Sequence, residues 1–460
     1  MATLAYQLAK YAHTLTFRDL PPEIVQYAKN ELLDTLGVAL AAYDSDPARI
    51  TRKVVTALGG TPEATVIGSG DRLPAASAAL INGVMVRYLD CNDTFLGARS
   101  FGHFSDVTSA ALAVGERQHS TGRDVITALI IGYEIQAAFC NAASFRPTPI
   151  HAATHGAISG PFVAGHLLGL TEEQMANALG LAASCNVVLQ TWLTTTGDMP
   201  MIKAFGYPWA AHGGVMAALL AQEGLTGPVT TLEFILKRFR VRVDGSIVPD
   251  RNNFAAKART LIKVYTAQAF TQVAVEGVLG LCKTHGIAAD DIESVVIHGC
   301  SEMVTGIQAG KGAYIPSTKE AADHSTPYVV AMALLEGDVT PAQFTNEKWK
   351  EPRVRAMVRR IRCIQDDEYE RRFREKLWLS GRMEIRTRQG NTYSITLDNP
   401  KGHPLKPLTY EEIVGKFHRM ASACLSATRR RTVVELVNNL DSLPNLDPLM
   451  EALHLERSAG

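Results

Sequence analysis

The 460-residue chain has no CxxC pair, no P-loop, no nucleophile elbow and no HExxH helix. Its seven cysteines, Cys91, Cys140, Cys185, Cys282, Cys300, Cys363 and Cys424, stand far apart; the nearest two are 18 residues from one another. That spacing gives no support for an iron–sulfur cluster or a zinc ribbon, and the odd count fits reduced thiols in a cytoplasmic protein. Charge of one sign is not in excess either, since Lys+Arg and Asp+Glu both number 46. Nothing global therefore draws the chain to nucleic acid or to an acidic membrane, although a pocket can hold a small anion with a few local cations. The N-terminal MATLAYQLAKYAHTLTFRDLPP lacks a basic start followed by an apolar run, so no secretory signal is expected. The apolar stretch 125–139 reads as too short for a bilayer and contains Glu134, so no transmembrane segment is expected. Gly68-Ser69-Gly70 lacks the third glycine of a dinucleotide loop, Leu73 standing in its place.

What is present is apolar and helical: hydrophobic residues make up 46% and charged residues 20%, a composition for a sizeable core. Pro21-Pro22 open a stretch with Ile24, Ala28, Leu32, Leu36 and Ala39 on one face of a helix. Further helices are expected over 74–88, 106–116, 123–143, 156–168 and 201–223, and Thr171 with Gln174 forms a capping-box pattern. Runs such as GAISGPFVAG and AAHGGVMAALLA are dense in small residues and predict close helix crossings. After about residue 260 the texture changes. Ile292–His298 is rich in β-branched residues, and 383–388 and 391–397 alternate around Gln389-Gly390-Asn391 as a hairpin. Helical periodicity returns from Thr409. The fold class expected is mainly α with an α+β part: a helical domain over 1–262, an inserted α+β lid over 263–402, and C-terminal helices over 403–460 that complete the helical domain. The arginines between 351 and 382 are followed at once by Asp366, Asp367, Glu368 and Glu370 and read as a solvated, salt-bridged face.

Three polar clusters interrupt the apolar background. In RYLDCNDTFLGARSFGHFSD, Asp90 and Asp93 are three apart, as on one face of a helical turn, with Thr94 and His103 close behind. A carboxylate beside an imidazole is what acid–base chemistry near neutral pH requires, while an Asp-rich cap with a surface histidine is the plainer reading. His151 and His155 have the i, i+4 spacing of a metal pair, but no third ligand is nearby; histidines bonded at a helix N-terminus fit better. Lys203 starts a helix among apolar residues, and Lys263 sits at the expected domain junction; each is either a snorkelling surface group or a charge aimed at a ligand carboxylate. His324 begins a helix on the lid side and Tyr314 precedes it in a loop. Scattered His, Lys and Asp without a nucleophile or metal motif suit proton abstraction beside a carboxylate, where cations and donors must absorb the second negative charge.

The blocks INGVMVRYLDCNDTFLG, GHFSD, HLLGLTEEQMANALGLAAS, MIKAFGYPWAAHGGVMAALLAQEGLTGP, IKVYTAQAFTQVAVEGVL and DHSTPYVVAMALLEGDVTPAQFT resemble the MmgE/PrpD family, in order and over nearly the whole chain. The resemblance implies a helical domain with an α+β lid, a homodimer, and no metal or organic cofactor. By motif it implies Asp90, His103, His151 and Lys203 as catalytic residues. Thr94, His155, Lys263, Tyr314 and His324 are implied as substrate-binding, with either His151 or His155 filling the family's single histidine position. Cys91-Asn92 and Phe104 depart from the usual Phe-Asp and Pro. The Tyr-Leu-Asp-x-Asn-Asp-Thr and His-x-Ser-Asp forms look closer to the dehydratase branch than to the decarboxylase branch. The expectation is a cytoplasmic, cofactor-independent hydro-lyase of a 2-methylcitrate-like polycarboxylate in propionate metabolism. Its alternatives are a decarboxylase or epimerase of a related acid, and an inactive helical ligand-binding protein.

Overall fold

The computed structural model describes residues 2–193 and 196–456. Helices dominate the first half of the chain. Pro22–Ala41, Ala75–Tyr88, Thr108–Arg117, Gly122–Ala142, His155–Leu167, Glu172–Cys185 and Ile202–Gln222 pack together, and their apolar residues form the larger of two buried cores. That core draws on residues 5–262 and again on 413–453, because the helices Tyr410–Met420 and Ala427–Asn438 return to cover Pro22–Ala41. Pro22 stands at the first helical position, where its missing N–H costs nothing, and Thr171 accepts from the Gln174 amide as a capping box.

Small residues set the crossings that build the site. A Cβ on Gly156 would come within 3.0 Å of Ala211 N, and one on Gly214 within 2.9 Å of Pro161 Cδ. The helices His155–Leu167 and Ile202–Gln222 thus touch backbone to backbone, which brings the histidine end of one beside the lysine end of the other.

The smaller core gathers Leu261, Val273, Ile297, Tyr328, Met383 and their neighbours around a four-stranded sheet. Its strand order is Ile361–Gln365, Ile292–Gly299, Gly381–Thr387, Thr392–Leu397; the first pair is parallel and the others antiparallel. The hairpin turns at Gly390, whose φ of 87° suits glycine. Helices Gln272–His285 and Thr326–Glu336 cover the sheet.

Two expectations are corrected. The apolar helix runs Gly122–Ala142, 21 residues, and is long and apolar enough to cross a membrane by length and composition; yet 94% of its apolar window is buried in protein. Its Glu134 accepts from Ala255 N and Ala256 N at 2.8 and 3.0 Å, so this is a core helix with a satisfied carboxylate. Asp90 and Asp93 do not share a helical face: the helix ends at Tyr88, and Asp90 has a left-handed φ of 50°. Nor do His151 and His155 form the metal pair their spacing allowed: as the preferred reading had it, His151 caps the short turn Ala152–Thr154, and His155 opens the following helix.

Candidate active site

Asp93, not Asp90, folds the loop after Ala75–Tyr88. Its carboxylate accepts from Phe104 N at 2.7 Å, Ser105 N at 3.1 Å and the Ser105 hydroxyl, which turns 103–105 back on 93–94. Thr94–Leu96 then pairs with Phe101–Gly102 on one side and with Thr260–Leu261 on the other. That second pairing carries Lys263 beside Asp90. The Lys263 ammonium donates to the Asp90 carbonyl at 2.8 Å and to Oδ1 at 2.6 Å.

Asp90 is the hub of a buried ionic network. Arg87 Nη1 lies 3.2 Å from Oδ1, Lys203 Nζ lies 3.1 Å from Oδ2, and His324 Nε2 lies 3.6 Å from Oδ2. Burial alone would raise the Asp90 carboxyl, but Lys203, Lys263 and Arg87 outweigh it and hold the group well below the usual carboxylate range. Asp323 repeats the arrangement. It accepts from Lys203 Nζ at 2.8 and 2.7 Å, from Lys319 Nζ at 2.7 Å and from His324 Nδ1 at 2.6 Å; against the opposing effect of burial, Lys203 and Lys319 hold it ionised. Lysines 203, 263 and 319 with Arg87 thus face only two carboxylates, leaving a cationic surplus in a low-dielectric setting.

The network borders a cavity of about 490 Å³ between the two cores. Arg87, Asp90, Thr94, His103, His151, His155, Lys203, Lys263 and His324 all line it. Eight lysines and arginines line it against three acidic residues, so the positive excess extends to the mouth, where Arg99, Arg146, Arg240, Arg242 and Arg374 lie. Tyr314 is the exception among the expected residues: it packs on the smaller core, its hydroxyl meets Cys363, and it does not line the cavity.

The histidines differ in what their backbone partners impose. His103 Nδ1 lies 2.7 Å from the Asp93 carbonyl, which can only accept, so Nδ1 carries the proton and Nε2 keeps a lone pair. His151 Nδ1 lies 3.1 Å from the Ala153 N–H, which can only donate, so in the neutral ring the proton sits on Nε2. Burial, with Arg87 and Lys263 adding to it, pulls His103 well below its ordinary value; burial and Arg87 pull His151 down to about 3. Both rings are therefore neutral near pH 7. His155 is pulled down to about 4 by burial and packs among Phe139 and Phe145; its Nε2 is buried without a hydrogen-bond partner among the described residues.

Asp90, Asp323 and His324 could in principle hold a metal ion, their ligand atoms lying within 4.8 Å of one another. The Lys203 ammonium already bridges the two carboxylates, where a cation would sit. Lysine supplies that charge.

Sequence reasoning missed four contributors. Arg87 is a lone cation in an apolar helix, and Lys319 and Asp323 are an i, i+4 pair just before His324. Tyr207 stands four residues after Lys203 on the same helix face and lines the cavity. In each case the signal was proximity to a residue already singled out.

Two buried cores, with a cationic cavity and two neutral histidines between them, make up the site. The MmgE/PrpD N-terminal domain model matches residues 6–235 and the MmgE/PrpD C-terminal domain model matches 265–442. The chain belongs to the MmgE/PrpD family. It is 24% identical to the cis-aconitate decarboxylase of Homo sapiens, over 98% of this chain and 95% of the relative. It is 28% identical to the 2-methylcitrate dehydratase of Escherichia coli K12, over 81% of this chain and 80% of the relative, and 24% identical to the cis-aconitate decarboxylase of Aspergillus terreus NIH 2624, over 97% and 95%. Dehydratase and decarboxylase are both lyase activities, and the family is one of lyases.

Proposed function

We propose that the protein is a cofactor-independent hydro-lyase acting on a 2-methylcitrate-like polycarboxylate. The observation that carries this reading is the pair of neutral cavity histidines with opposite tautomers beside a surplus of buried cations. Lys203, Lys263 and His324 hold the substrate carboxylates, with Thr94 and His155 completing the wall. His103 Nε2 takes the proton from the carbon next to a carboxylate, and the C–H electron pair moves into that carboxylate as an enediolate. The pair then forms the carbon–carbon double bond as the neighbouring hydroxyl leaves; the His151 Nε2–H hydrogen-bonds the departing oxygen, and the proton held on His103 passes to it, so that water departs and both rings end neutral. Asp90, ionised throughout, fixes the ammonium groups around the anion.

A decarboxylase is the second reading, favoured by the decarboxylase relatives that align over nearly the whole chain. It uses the same cradle: carbon dioxide leaves in place of the proton, and the carbanion left behind takes a proton from solvent relayed through one of the cavity histidines. The proposal includes a cytoplasmic homodimer, in keeping with seven unpaired cysteines and with Ile202, Trp209, Met216 and Leu220 exposed along one helix.

The test is turnover by the metal-stripped protein of 2-methylcitrate, citrate and cis-aconitate, followed by proton NMR. An unsaturated acid from a hydroxy acid is the expected product. Carbon dioxide from cis-aconitate, or epimerisation, would replace the dehydratase reading, and no turnover of any acid would leave the ligand-binding alternative.

A further inference from the structure

We propose that the Tyr207 hydroxyl is the neutral oxyanion donor of this site, giving a hydrogen bond to the substrate carboxylate that takes up the electron pair. The inference rests on the proton-abstraction reading above. Tyr207 is 5% exposed and lines the cavity, and among the described residues no protein group accepts from its hydroxyl, which is open to the cavity. A phenol hydroxyl facing a cavity keeps its donor free for whatever occupies that cavity. A bound acid supplies the missing acceptor.

The ring stands between the two histidines. The His103 ring meets it nearly perpendicular at 5.3 Å and the His151 ring at 5.4 Å, so the phenol ring packs against both histidines of the proposed mechanism. The Arg87 guanidinium lies over the ring at 4.7 Å. That cation draws electron density from the phenol and strengthens it as a donor, while burial pushes its ionisation far above neutral pH and keeps the proton on oxygen. The carboxylate gains a second negative charge only as the C–H bond breaks, so the bond from Tyr207 strengthens in the transition state more than in the bound acid. Tyr207 therefore contributes to kcat more than to KM.

The experiment compares wild type with Tyr207→Phe, which deletes only the oxygen and keeps the ring that separates the histidines. Expected are a fall in kcat of about 10²-fold, the usual consequence of losing one oxyanion donor, a KM close to wild type, and an unchanged Tm. Wild-type kcat in Tyr207→Phe would overturn the inference while leaving the dehydratase reading intact. So would a lost kcat accompanied by a lowered Tm, which would assign the hydroxyl to packing. Absence of turnover in the wild type would overturn the underlying reading, and the inference with it.

Discussion

His103 and His151 share a side chain, a cavity wall and a tyrosine neighbour, and they differ by one backbone contact each. The Asp93 carbonyl fixes one ring as a proton acceptor at Nε2, and the Ala153 N–H fixes the other as a donor there. A pH consequence follows. The proposed base acts as neutral imidazole, so protonation at acid pH removes activity, and burial with Arg87 and Lys263 places that protonation well below 6.5. The acid limb of kcat/KM, corrected for the ionisation of the substrate, is expected below pH 6.5, with no loss between 6.5 and 7.5; a limb centred at or above 6.5 would contradict the assignment. The residue types were legible because polar groups in an apolar sequence stand out. Their partners were not. Asp93 looked like half of a carboxylate pair with Asp90, but three local donors turn it into the clasp of its own loop. Tyr314 was placed by motif alone, and the smaller core claims it instead.

The elements were read more reliably than the residues, for a physical reason. Helices with a wide apolar face announce themselves at a period of 3.6, and the hairpin around Gly390 at a period of two, wherever they dock. Their docking is less visible. The C-terminal segment returns to the first helices through contacts that no local pattern encodes: Gly122 N donates to Leu443 O at 3.0 Å, and a Cβ on Gly122 would fall 1.7 Å from Leu440 O. Gly122→Ala is expected to prise the start of Gly122–Ala142 from the C-terminal helices and to destabilise the protein by about 1–3 kcal/mol, the usual cost of overpacking. Thermal unfolding checks it; an unchanged Tm would mean that the C-terminal helices do not complete this core. The helix expected over 123–143 runs Gly122–Ala142; what the pattern did not show is its burial, which is a property of its neighbours.

At the scale of the whole molecule, zero net charge hides a strongly polarised interior. The buried cations of the network come from positions 87, 203, 263 and 319, brought together by a helix end, a helix start, a strand pairing and a short helix, and the first three line the cavity. Composition could not reveal that gathering, because with 46 basic and 46 acidic residues an acidic excess elsewhere balances the count. The family blocks pointed to Lys203 and Lys263 among these cations, and not to Arg87 or Lys319. In the proposed reaction the gathered ammonium groups do the work that a metal ion would do, and His103 moves the proton. The most direct measurement is hydrogen exchange into the substrate by the metal-stripped protein in D2O, read by proton NMR. The account expects deuterium at the carbon beside one carboxylate with wild type, and none with His103→Gln although the acid still binds. Exchange that persists in His103→Gln, or that begins only when a divalent ion is added, would contradict it.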